Sequence, residues 1–145
     1  MKKLALSFLL LLATTSAFAG EVIEGMDARG RATHGAVAED FSQVTSREAA
    51  QKLVAEGKLV KILLFPAEFG GQDVPPNVVY VPPGARGVQE QIVGTITRFA
   101  EKGLVDKLNV NAEYKGESFV PSKIHMKATD SSGKHGSFEP TIDIW

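Results

Sequence analysis

The chain has 145 residues, with 16 Lys and Arg against 17 Asp and Glu, a net charge of −1 and no cysteine. The near balance of charge leaves no basic footprint for nucleic acid, and the missing thiol rules out disulfides, thiolate metal ligands, a nucleophilic cysteine and a lipid-modified N-terminal cysteine. A chain of this length supports one domain that buries roughly two-thirds of its unfolded surface, so it can fold without covalent staples.

Lys2 and Lys3 precede an apolar run at 4–13 centred on Leu9, Leu10, Leu11 and Leu12. Ala17-Phe18-Ala19 then puts small residues at both positions that a signal peptidase reads. A run of about ten apolar residues is too short to cross a bilayer of roughly 30 Å as a helix. Residues 1–19 are therefore expected to be a signal peptide cut after Ala19, leaving a periplasmic or secreted chain with no membrane span. Residues 20–44 hold Gly20, Gly25, Gly30 and Gly35 among scattered apolar side chains, and read as a flexible leader from which Phe41 and Val44 can dock on the domain. A single domain follows at 45–145.

The domain opens on a helix. Thr45 and Glu48 have the spacing of a capping box, Ala49, Ala50, Leu53 and Val54 fall on one face, and Gly57 supplies the stop. Residues 58–65 read as a strand with apolar side chains on both faces, hence covered on both sides or near a sheet centre. A loop at 66–76 carries Gly70-Gly71 and Pro75-Pro76, and a short strand at 77–81 ends at Pro82-Pro83. A second helix is predicted over 86–102 with Val88, Ile92, Ile96 and Phe99 buried, stopped by Gly103, with Leu104 folded back on Phe99.

Three strands complete the chain. Leu108, Val110, Ala112 and Tyr114 alternate with polar residues, Gly116-Glu117 marks a tight hairpin, and 119–128 puts Val120, Ile124, Met126 and Ala128 inward. A polar loop at 129–136 leads to a last strand at 137–145. Setting Ala128 opposite Phe138 brings Met126 opposite Pro140, Ile124 opposite Ile142, Lys127 opposite Glu139 and Lys123 opposite Asp143, so that charge and hydrophobicity match together. The expected fold is α+β, a two-layer sandwich in the order α-β-β-α-β-β-β, with a C-terminal antiparallel three-strand meander and two helices on one face. The similar segments at 55–60 and 100–105 reflect shared helix-stop chemistry.

Residues with chemical capacity are few. His34 lies in the leader. His125 shares strand parity with Lys123 and Lys127, so it should face outward beside Thr141 and Asn109. His135 sits in the 129–136 loop. No H-x-x-x-H, H-E-x-x-H, G-x-S-x-G, G-x-x-x-x-G-K or G-x-G-x-x-G spacing occurs, so no metal, cofactor or catalytic set is assigned. Glu68 and Asp73 share one loop and, with His125 or His135, offer the residues of a small envelope hydrolase. Tyr80 and Arg86 flank a strand-to-helix junction where an anion or small ligand could sit.

The favoured reading is a small exported binding or accessory protein, non-catalytic, of inhibitor or immunity type, with a protein partner in the cell envelope and no nucleic acid. Its candidate surfaces are the polar sheet face of Asn109, Lys123, His125, Lys127 and Thr141, and an exposed Phe69 beside Gly70 as an anchor for a partner pocket.

Overall fold

The computed structural model describes residues 39–145. The expected signal peptide, most of the leader and His34 lie outside the described residues. Among the described residues packing begins at Phe41, and both Phe41 and Val44 are buried.

Helix α1, Arg47–Ala55, is capped one residue later than the sequence pattern suggests. Ser46 is extended and its hydroxyl accepts from the Ala49 amide at 3.1 Å. The Thr45 amide is already spent on the Gln43 carbonyl, and Glu48 falls in the first turn, where it meets the positive end of the helix dipole instead of closing a box. The helix ends as expected. Gly57 is left-handed (φ 76°), its amide donates to the Val54 carbonyl and that of Lys58 to Leu53.

Strands β1, Val60–Leu63, and β2, Val78–Val81, pair antiparallel with Val60 opposite Val81 and Ile62 opposite Val79. They form a sheet of their own, and β1 is shorter than the predicted 58–65. Asn77 explains why. Its carbonyl still accepts from the Leu64 amide, but at Phe65 its side chain replaces a strand partner: Oδ1 accepts from the Phe65 amide at 2.7 Å and Nδ2 donates to the Phe65 carbonyl at 3.0 Å. In the loop between, Gly71 passes so close that a Cβ there would stand 1.8 Å from the Phe65 carbonyl oxygen, so only glycine fits.

Helix α2, Pro83–Glu101, starts earlier than predicted because Pro83 suits the first helical position, where no amide is needed and φ is already set. Its buried stripe is Ala85, Gln89, Val93 and Ile96, with Ile92 and Phe99 packed at the margin. Val88, predicted inside, is 42% exposed. Gln89 takes the inward position and satisfies itself by donating to the Leu63 carbonyl at 2.8 Å. Gly103 and Leu104 close the helix on Ala100 and Phe99 as expected, so the similar segments at 55–60 and 100–105 do share one stop motif.

Strands β3, Lys107–Tyr114, β4, Pro121–Thr129, and β5, Thr141–Asp143, form an antiparallel sheet in the order β3-β4-β5. The expected register holds. Ile124 faces Ile142, Lys123 faces Asp143, Ala128 bridges Phe138, and the Met126 amide donates to the Pro140 carbonyl. The last strand is shorter than predicted because Pro140 has no amide to extend the ladder. The hairpin is not tight either. The register shifts between Glu113 and Tyr114, and buried Ser118 organises the connection, donating to the Phe41 carbonyl and accepting from the Val120 amide.

Element order and class are thus α+β as predicted, with the strands divided between two sheets. A first core joins α2 to Ile62, Val79 and Val81 of the small sheet and to Ile124, Met126, Ala128 and Ile142 of the larger one. A second gathers Phe41, Val44, Leu59, Tyr80 and Val120 under α1. The small sheet is therefore covered on both sides, which accounts for its apolar residues of both parities. Among the described residues no helix is long and apolar enough to cross a membrane.

Candidate functional site

Alternation in β3 and β4 sends Val110, Ile124, Met126 and Ala128 to the first core and their neighbours to the opposite face. Asn109, Lys123, His125, Lys127 and Thr141 consequently share one outward face, with Asn109 opposite Lys127 and His125 opposite Thr141. The residue opposite His125 on β3 is Asn111 rather than Asn109, and Asn111 Nδ2 donates to Asn109 Oδ1 at 2.9 Å.

The charges on this face are locally matched. Lys123 pairs with Asp143 at 3.1 Å and Lys127 with Glu139 at 2.8 Å. The Glu139 carboxyl is held below the usual carboxylate range, chiefly by its hydrogen bond from Lys127. His125 is gripped from both sides: Nδ1 lies 3.0 Å from Thr141 Oγ1 and Nε2 lies 2.7 Å from Glu113 Oε1. Glu113 was missed in the sequence because it is one step diagonal to His125; the available signal was that both have outward parity. Hydroxyl, imidazole and carboxylate have the connectivity of a nucleophile with its base. They lie on an outward sheet face, with the His125 and Glu113 side chains 40% and 58% exposed. The arrangement fixes the imidazole in place on a rigid surface.

A second cluster orders the loop after β4. The Asp130 carboxylate accepts from the Ser132 hydroxyl at 2.5 Å, from the amides of Ser132, Lys134 and His135 at 3.0–3.1 Å, and is 3.0 Å from His135 Nδ1. Asp106 accepts from the amide and hydroxyl of Ser131. Both carboxyls are held below the ordinary value of 3.8, Asp130 mainly by the Ser132 hydroxyl and Asp106 mainly by that of Ser131. Beside the loop, Phe99, Leu104, Val105, His135 and Phe138 line an open apolar cleft of about 290 Å³.

These two carboxylates set an acid dependence. A carboxyl whose folded pKa is depressed contributes stability that is present in full above its unfolded value and is lost as pH falls through the folded one. Stability should therefore begin to fall as pH drops below about 3.8. Asp130→Asn, which cannot ionise, should be less stable at neutral pH and show a flatter acid limb in pH-dependent urea unfolding. Parallel limbs for the two proteins would contradict this.

The other sequence-predicted residues are not brought together. Tyr80 is 5% exposed in the second core, its hydroxyl 3.4 Å from Gln51 Nε2. Arg86 pairs with Glu90 at 2.9 Å and lines a separate depression with Lys61 and Glu68. The junction between them is poor in anion donors, since Pro83 has no amide and that of Ala85 donates to the Pro82 carbonyl. Asp73 is taken by Lys61 at 2.7 Å, while His125 and His135 are held by Glu113 and Asp130, so neither imidazole is bonded to Glu68 or Asp73. Phe69 does not project as an anchor. It packs against the first core and lines a cleft with Phe65, Ile96 and Leu108, with left-handed Gly70 closing the turn behind it. Among the described residues no three His, Asp or Glu side chains converge as metal ligands. No family model, no curated protein and no solved structure matches this chain.

Proposed function

We propose that this chain is an exported, non-catalytic binding or accessory protein of inhibitor or immunity type, which meets a protein partner in the cell envelope through the outer face of the β3-β4-β5 sheet. The observation that carries the reading is that Asn109, Lys123, His125, Lys127 and Thr141 lie on one solvent-facing surface backed by buried Ile124, Met126 and Ala128. A surface pre-ordered by its own core loses little entropy on docking. Its matched charges favour a partner that offers paired donors and acceptors over one that offers a single strong charge. The leader sequence supports export, with Gly20 as the first residue of the processed chain.

The test is recovery of a stoichiometric partner from an envelope fraction with the wild-type chain as bait. His125→Ala and Lys127→Glu, each folded by circular dichroism, should lose at least about tenfold in affinity, as for a residue at the centre of an interface. Recovery of no stoichiometric partner, or retention undiminished by both variants, would reject the proposal. N-terminal sequencing of the exported protein should begin at Gly20.

A further inference from the structure

The sheet edges of this domain are guarded unequally. β5 is three residues long and follows Pro140. β2 is bracketed by Pro75-Pro76 and Pro82-Pro83, and β1 has four residues. Short strands and flanking prolines are the usual means of blunting an edge. β3 has neither. It runs eight residues without proline, and among the described residues β4 is its single strand neighbour.

Its free side carries a defined set of backbone groups. Ala128 exchanges both backbone hydrogen bonds with Phe138, and the Met126 amide donates to Pro140, so the even residues of β4 point toward β5. The odd residues of β4 therefore point toward β3, where their partners are Lys107, Asn109, Asn111 and Glu113. That leaves the amides and carbonyls of Leu108, Val110 and Ala112 aimed away from the sheet.

The side chains along this edge are complementary to themselves. In an antiparallel pairing of two copies about a two-fold axis at Val110, each Lys107 stands opposite Glu113 of the other copy. Asn109 stands opposite Asn111, Leu108 opposite Ala112, and Val110 opposite Val110. In the same register Leu108, Val110 and Ala112 fall at hydrogen-bonded positions. Sliding the pairing so that Asn111 sits on the axis sets Lys107 against Lys115. Centring it on Asn109 leaves Glu113 opposite Val105. The register shift after Glu113 ends the regular strand at 113, so the regular segment from 107 to 113 is itself centred on Val110. Lys107 makes no ion pair among the described residues, and Glu113 engages His125 through one carboxylate oxygen, Oε1. The half-buried Leu108, Val110 and Ala112 would gain cover from the same residues of the second copy.

We infer that β3 is a pairing edge for a second copy of this chain, joining two domains into one six-stranded antiparallel sheet. The guarded β5 edges lie at the two ends of that sheet, so the assembly closes at two copies. The inference is independent of whether the sheet face also binds a partner.

Sedimentation equilibrium of the protein recovered from the producing cells should give twice the chain mass. Lys107→Glu and Glu113→Lys each place two like-charge pairs across the axis, and each should raise the dimer dissociation constant about tenfold or more. The double variant restores both pairs with signs exchanged and should return to within about threefold of wild type. Val110→Pro deletes an outward amide that the β3-β4 ladder does not use, and should give a folded monomer. Should Val110→Pro fail to fold by circular dichroism, the charge-exchange series decides alone. A wild-type chain that stays monomeric to about 1 mM, a double variant no tighter than its parents, or growth beyond two copies would overturn the inference.

Discussion

Ile124→Ala is expected to lower the free energy of unfolding by about 2–5 kcal/mol, the range for truncating a large buried aliphatic side chain. Ile124 is fully buried in the central strand, opposite Ala112 on one side and Ile142 on the other. Ladders on both flanks hold its backbone, so the site cannot collapse to fill the void and the cost should fall in the upper part of the range. For a domain of this size each kcal/mol shifts Tm by roughly 4–8 °C. Calorimetry should therefore show a fall of more than about 10 °C. Val88→Ala on the exposed side of α2 is the matched control, expected within about 0.5 kcal/mol of wild type. A loss below about 1 kcal/mol at Ile124 would mean that the first core is not packed as described.

Trp145→Ala should be nearly as costly, about 3 kcal/mol. Trp145 closes the second core. Its indole NH donates to the Val120 carbonyl at 3.2 Å, and its ring meets Phe41 edge-on with centroids 6.0 Å apart. The Lys115 ammonium lies 4.7 Å from the centroid on the outer side, while also donating to the Trp145 carbonyl at 2.7 Å. Trp145→Phe retains the aromatic contact but leaves the Val120 carbonyl unpaired, and should cost about 1–2 kcal/mol. Urea unfolding of both variants measures the difference. Equal losses would show that the indole hydrogen bond contributes nothing.

What could be read in the sequence was what two independent constraints fixed together. The β4-β5 register was legible because one alignment satisfied both the apolar pairs, Ile124 with Ile142, and the charge pairs, Lys127 with Glu139 and Lys123 with Asp143. The polar sheet face followed from that parity. The helix stops were legible because Gly57 and Gly103 each take a left-handed φ. Three of the differences share a cause, in that a polar side chain does work that hydrophobic pattern cannot register. Gln89 took the place assigned to Val88 because the Leu63 carbonyl needed a donor. Asn77 ends β1 early by standing in for a strand, and Ser46 is the cap in place of Thr45 because its hydroxyl is the one that reaches the Ala49 amide. In the sequence Tyr80 stands out as a ligand neighbour and Phe69 as an anchor for a partner pocket, since each lies beside a glycine- or proline-rich turn. Burial depends on what crosses over them, α1 for Tyr80 and the first core for Phe69, and neither is local in sequence.

The edge-on meeting of Phe41 and Trp145 brings the first and last packed side chains among the described residues side by side. Order of connection along the chain is thus separable from the packing. A short flexible linker can join Trp145 to the residue before Phe41, and new termini can be opened at the exposed turn around Gly57. Such a circular permutant would retain both cores and both sheets.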